Sequence, residues 1–145
     1  MPTRIVVEAE IRYTENRDKV IKAIKNLVDI SSFTTIPSPR GEKAIGESSS
    51  LEALLPLHQA IRVEKILDTV RSVLKKNKRE DSTHLLFHKQ AAFVGKVSIV
   101  DSDRESPLGA IKLLIVRDNI DEVIDWLAPP TSRGKPLWEK PMSSP

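Results

Sequence analysis

The hydrophobic positions change period several times along the chain, and each change marks an element. Between 4 and 13, Ile5, Val7, Ala9 and Ile11 alternate with Glu8, Glu10 and Arg12, the two-residue repeat of a half-buried strand. Thr14, Glu15 and Asn16 then offer helix caps. The repeat lengthens after them: Val20, Ile21, Ile24, Leu27 and Val28 share one helical face, with Lys19, Lys22, Lys25 and Asn26 pointing away. Phe33-Thr34-Thr35-Ile36 is β-prone, Pro37-Ser38-Pro39-Arg40-Gly41 reads as a turn with Gly41 at positive φ, and 43–49 returns as a short strand. Ser50 suits the start of a helix. Pro56, which lacks an amide hydrogen, breaks or kinks that helix, and a longer one runs on to about Lys76 with Val63, Ile66, Leu67, Val70, Val73 and Leu74 as its apolar face.

Three further strands are predicted at 83–89, 96–101 and 110–116, the last two joined by a polar loop over 102–109. Asn119 followed by Glu122 has the capping-box spacing, ahead of a helix that buries Ile120, Val123, Ile124 and Leu127. Together these elements predict one α+β domain over 1–128 in the order β-α-β-β-α-β-β-β-α. It would be a two-layer sandwich, with helices packed on one face of a mostly antiparallel sheet. The proline-rich stretch 129–145 is expected to form an extended or disordered tail.

Composition narrows the chemistry. The 145 residues include no cysteine, which excludes disulfides, thiolate catalysis and Cys-ligated zinc. No stretch approaches the ~18 apolar residues of a membrane span, and no apolar signal region follows a basic one, so a cytoplasmic protein without membrane contact is expected. The net charge of +3 leans mildly toward polyanions.

Familiar catalytic patterns fail on inspection. Gly41 and Gly46 have the spacing of a phosphate-binding loop, but Glu47 stands where its lysine must be. Asp101-Ser102-Asp103 opens like a calcium loop, yet Ser106 replaces the glycine of position six and Lys112 the glutamate of position twelve. His84 and His88 would share a metal on a helix, whereas on the strand predicted here they lie about 13 Å apart at roughly 3.3 Å per residue. No serine sits in a nucleophile elbow. The expectation is a non-enzyme with no metal site and no small-molecule cofactor. A deep pocket lined by carboxylates or histidines would argue otherwise.

Signals for nucleic acid lie on the long helix. His58, Arg62, Lys65, Thr69, Ser72 and Lys76 fall on one polar stripe with a basic bias, and Lys75, Lys76, Lys78 and Arg79 crowd its C-terminal end. Such a cluster suits phosphates, and it equally suits the negative end of the helix dipole. Aromatic residues are only 4%, which limits base stacking and points to backbone-led, salt-sensitive contacts.

Four short motifs carry a resemblance: Lys89-Gln90-Ala91-Ala92-Phe93-Val94-Gly95-Lys96, Ile66-Leu67-Asp68-Thr69, Ser106-Pro107-Leu108-Gly109 and Asp125-Trp126-Leu127-Ala128-Pro129. With these motifs in the right order along the chain, over about 4–131, the chain closely resembles an archaeal family of uncharacterised proteins of the UPF series. The resemblance implies a fold similar to the large-subunit ribosomal protein that binds 5S ribosomal RNA, and a role with RNA; it carries no catalytic residues. The chain departs from the family pattern at His88, where Asn is expected, and at Pro130, where Arg is expected. Within the motifs, Ala91, Ala92 and Gly95 suit close backbone packing and Trp126 a core plug. The polar ends of Lys89, Gln90 and Lys96 serve no core.

The reading is thus a non-enzymatic RNA-binding protein that contacts the backbone of structured RNA. Its contacts would be Arg62, Lys65, Lys76, Lys78 and Arg79 on the long helix, with Lys89, Gln90 and Lys96 beside the sheet. The alternative is a homodimeric interaction protein without nucleic-acid binding, for which Leu57 and Ile61, off the main apolar face, and Trp138 would supply the exposed apolar surface.

Overall fold

A computed structural model describes residues 3–142. The alternating segment forms β1 (Arg4–Arg12), whose Ile5, Val7, Ala9 and Ile11 are buried. α1 (Arg17–Leu27) starts at Asn16, whose side chain accepts from the Lys19 amide at 3.2 Å, and buries Val20, Ala23, Ile24 and Leu27. β2 (Phe33–Ser38) and β3 (Gly41–Ser48) form the expected hairpin, with Gly41 at φ +147°. Ser50 caps a 3-10 turn (Leu51–Leu54) that passes into α2 (Leu55–Val63), with Pro56 in the first turn, where a missing amide hydrogen costs nothing.

The long helix is not continuous. α2 ends at Val63 and α3 (Leu67–Lys76) starts afresh. Between them Lys65 takes φ +59°, the Ile66 amide donates to Ile61 O at 3.0 Å and the Lys65 amide to Arg62 O at 3.1 Å. This is the double closure of a helix C-terminus around a left-handed residue, here Lys where Gly is usual. The break also redirects Leu57 and Ile61 into the core, where both are 0% exposed. The exposed apolar pair invoked for a dimer therefore does not exist on α2.

Beyond α3, β4 (Ser82–His88) runs directly into a short helix absent from the sequence reading, α4 (Lys89–Phe93), capped by His88 Nδ1 accepting from the Ala91 amide at 3.2 Å. The strand expected over 96–101 shrinks to β5 (Ile99–Val100), because α4 and its exit occupy the chain up to Val97. β6 (Ala110–Val116) and α5 (Ile120–Leu127) follow as predicted. Asn119 adopts φ +55° and donates to the Glu122 carboxylate at 3.0 Å instead of capping the helix amides. Within the described part of the tail, β7 (Thr131–Ser132) pairs with β8 (Lys135–Pro136) in a tight hairpin, and Glu139 reaches Arg62, which ties this part to α2.

The main sheet has the order β2-β3-β1-β6-β4-β5, with every pairing antiparallel. Its inner face and the buried sides of all five helices form one core that includes Ile5, Leu27, Ile61, Leu74, Leu113 and Trp126. Among the described residues no α-helix packs on the other face, which the 3-10 turn Asp103–Glu105 borders at one corner. Among the described residues no helix is long and apolar enough to cross a membrane.

Candidate nucleic-acid interface

The eight residues expected to meet RNA fall into three situations. Lys89 is not on the surface. Its side chain is 0% exposed, and Nζ donates to Glu10 O at 2.8 Å, Leu108 O at 2.6 Å and the Glu15 carboxylate at 3.0 Å. Its amide donates to Ser106 Oγ at 2.9 Å, so this lysine pins the start of α4 to β1 and to the 106–109 turn. The turn itself uses left-handed backbone at Leu108 and Gly109.

Arg62 is likewise committed. Its guanidinium donates to Glu139 at 2.7 and 3.0 Å, to His58 O at 2.7 Å, and to Leu127 O and Trp126 O at 3.0 and 3.3 Å. That paired guanidinium holds the Glu139 carboxyl below the usual carboxylate range. His58 stacks on Trp126 with ring centroids 4.9 Å apart; burial, then Arg62, hold its imidazole below the ordinary value. Trp126 is the core plug expected of it.

Lys76, Lys78 and Arg79 form a second group at the end of α3, about 15 Å along the helix from the Lys65 turn at 1.5 Å per residue. Lys78 is paired with Asp121 at 2.6 Å, and its hydrogen bond keeps that carboxyl below its ordinary range. Arg79 donates to Lys78 O at 2.9 Å, and Lys76 is exposed. With α2 and α3 separated by a reversal, the predicted stripe from His58 to Lys76 is not one line.

Lys65, Gln90 and Lys96 do come together. The Val97 amide donates to both oxygens of Glu64 at 3.0 and 3.2 Å, which sets the exposed Lys96 loop against the exposed Lys65 turn. Gly95, at φ +77°, makes the reversal that allows this; a Cβ there would meet no atom within 4 Å, so its role is conformation and not close packing. Asn26 Nδ2 donates to Ala92 O at 2.8 Å and ties α1 to α4. Between those helices lies a groove of about 400 Å³ lined by Lys19, Lys22, Gln90 and Phe93.

Lys19, Lys22 and Lys25 are residues the sequence reading passed over as a solvated helix face. All are exposed, and none makes a salt bridge among the described residues. Their spacing of three was the available signal, because it lines them along one edge of α1. Lys19 and Lys22 line one groove with the half-buried ring of Phe93, and Lys96 follows directly after the helix that carries that ring. Cations of this kind bind phosphates, and a ring edge beside them can stack a base.

A different depression, of about 340 Å³, opens on the helix-free side of the sheet between Glu8, Glu10, Lys43, His84, Asp103 and Lys112. Acids and bases alternate there, and burial, then Lys112 and Arg79, hold the His84 imidazole below its ordinary value. No group of three or more His, Asp or Glu among the described residues is placed to hold a metal ion.

The other family-like motifs act as structural pins. Asp68 bonds Thr131 Oγ1, and Arg71 joins Asp125 at 2.9 Å to Ala128 O at 3.0 Å. A family model described as RNA binding matches residues 4–116. The UPF0201 protein of Aeropyrum pernix is 49% identical over 140 residues, spanning 96% of this chain and 93% of its own length. That of Metallosphaera sedula is 44% identical and spans 97% of both chains. The crystal structure of a UPF0201 protein from Methanococcus jannaschii superposes with a TM-score of 0.82 at 29% identity, over 92% of this chain and 98% of that one. With a family model matched over 4–116 and relatives 44–49% identical over nearly the whole of both chains, this chain belongs to the UPF0201 family.

Proposed function

We propose that this protein binds RNA through the helix-layer face around the α1–α4 groove. Lys19, Lys22, Lys25, Lys65 and Lys96 contact phosphates, Phe93 offers its ring to one unpaired base, and Gln90 lies within reach of that base's edge. One observation carries the reading: a row of lysines without acidic partners beside an accessible aromatic ring, in a chain whose family model is described as RNA binding. The mild net charge of +3 fits it, because nine cations, Arg62, Lys78 and Lys89 among them, are ion-paired among the described residues and the five lysines of this face are not.

The test is fluorescence anisotropy with single-stranded and structured RNA, and with duplex DNA, across a salt series. About five phosphate contacts give a log–log salt slope near −3.5 on single strands, and Lys19→Glu/Lys22→Glu brings it to about −2 with at least a tenfold loss of affinity at low salt. The same reversal at Lys75 and Lys76 leaves binding within about twofold. Unchanged affinity in the first variant, or a larger loss in the second, would remove the α1–α4 face from the site.

A further inference from the structure

The sheet face turned away from the helices is unfilled and patterned. Val6, Ile45, Leu86 and Leu114 lie on it, partly exposed and outside the core cluster, and shallow depressions run between them. The registers place its side chains on a grid. One row across the strands reads Glu47, Val6, Leu114, His84; the next reads Ile45, Glu8, Lys112, Leu86. Lys112 stands directly across from Glu8 yet makes no salt bridge among the described residues, while Glu8 leans toward Lys43 at 3.9 Å.

We propose that this face pairs two copies of the chain about a two-fold axis running parallel to the strands between β1 and β6. That line bisects the strand order β2-β3-β1-β6-β4-β5, so the operation lays β1 over the partner's β6 and β3 over its β4. Because it preserves position along the strands, the register decides what meets. Val6 faces Leu114 of the partner subunit, Ile45 faces the partner's Leu86, Glu8 faces the partner's Lys112, and Glu47 faces the partner's His84. In these two central rows apolar residues meet apolar ones and acids meet bases, twice over by symmetry, whereas in the row beyond Val6 the side chain of Arg4 faces the partner's Val116. The acidic 101–105 loop, held by Asp103 accepting from the Ala110 amide at 2.7 Å, rims the corner that comes over the partner's Lys43.

The size is adequate. Six strands ~4.8 Å apart, with rows of ~3.4 Å per residue, present on the order of 600 Å² of flat area before corrugation, against ~800 Å² per partner in a standard interface. Aligned sheets cross at about −30°, which shifts the outer strands most and the central β1–β6 rows least. The pairing therefore rests on Val6, Glu8, Lys112 and Leu114. A second copy is favoured over nucleic acid here because the face interleaves both signs of charge with aliphatic residues and, among the described residues, its central rows carry no Phe, Tyr or Trp.

The experiment is sedimentation equilibrium of the full chain without nucleic acid. Wild type is expected at twice the 16.2-kDa chain mass at micromolar concentration. Lys112→Glu leaves Glu8 facing a glutamate, and Glu8→Lys leaves Lys112 facing a lysine, so each variant alone sediments as a monomer. Mixed, they restore every opposite-charge pair and form a one-to-one heterodimer, an outcome that changes in stability within one chain cannot produce. Circular dichroism reports whether each variant is folded. Should a reversal unfold the chain, the milder Leu114→Thr at its half-exposed site takes its place, with at least a tenfold weaker dimer expected. A wild-type monomer at roughly 300 µM, a dimer indifferent to these substitutions, or reversal variants that stay apart when mixed would each overturn the proposal.

Discussion

Replacing Lys89 with methionine separates a structural lysine from an RNA-binding one. The substitution keeps the apolar stem and removes the ammonium, leaving the Glu15 carboxylate, whose side chain is 6% exposed, without its counter-charge. Glu10 O and Leu108 O lose their donor as well, and Glu15 keeps only the Arg12 amide at 3.0 Å. Breaking a buried pair from one side costs about 3–5 kcal/mol, a large part of the ~5–15 kcal/mol that holds a domain of this size. With a urea m-value of about 2 kcal/mol/M, the unfolding midpoint should fall by roughly 2 M. Adding Glu15→Gln removes the stranded charge and supplies an amide donor, so the double variant should recover more than half of the loss. The double-mutant cycle in urea, followed by circular dichroism, measures both. RNA affinity of the folded fraction should stay at the wild-type value, since Nζ does not reach solvent. A loss below about 1 kcal/mol, or no recovery on adding Glu15→Gln, would refute the burial argument. A drop in affinity larger than the unfolded fraction would return Lys89 to the interface.

Two further expectations concern stability. His58 and His84 bind their protons more weakly in the fold than at the ordinary value of 6.5, so the unfolded chain takes up protons first as pH falls. Their contribution is whole above that value and is lost as pH drops through it toward the depressed folded-state values; urea midpoints should decline between about pH 7.5 and 5.5, and His58→Gln/His84→Gln should flatten the decline. Gly41→Ala should cost at least about 2 kcal/mol in the same assay, because its φ is +147° and a Cβ would lie 2.2 Å from Ile11 O, a backbone atom that cannot step aside. A midpoint within error of wild type would contradict the hairpin geometry.

The elements legible in the sequence were those whose period and caps agree. β1 alternates without interruption, α1 has an Asn cap and a full apolar face, and the β2–β3 turn is marked by prolines and by Gly41. The α2–α3 break was hidden because its left-handed residue is Lys65, and lysine carries none of the signal that glycine gives at a helix end. α4 has five residues, too few to show a period. Lys89 was misplaced for a related reason. A lysine reads as a surface residue by default, and the carboxylate that makes its burial tolerable, Glu15, lies 74 positions earlier in the chain. Arg62 likewise meets Glu139 across 77 positions. Once these long-range pairs have taken Lys89 and Arg62 out of the predicted set, the candidate site rests on Lys65 and Lys96 together with Lys19, Lys22 and Lys25, and α1 contributes most of it.

That division of charge puts the two proposed surfaces on opposite sides of the molecule. The lysines of α1 project from the helix layer, and Glu8 and Lys112 project from the bare side of the sheet, with the whole core between them. A dimer closed over the sheets leaves both α1–α4 grooves facing outward, so RNA and a second copy do not compete for surface. The reversals at Lys19 and Lys22 should then change anisotropy without changing mass. The reversal at Lys112 should change mass while leaving the affinity for a short RNA intact, because such an RNA spans one groove. If either variant moved both readouts, the two faces would not be independent. The most direct physical route between them would be the β4–α4 junction, where His88 ends the strand on the open face and caps the helix that carries Gln90 and Phe93.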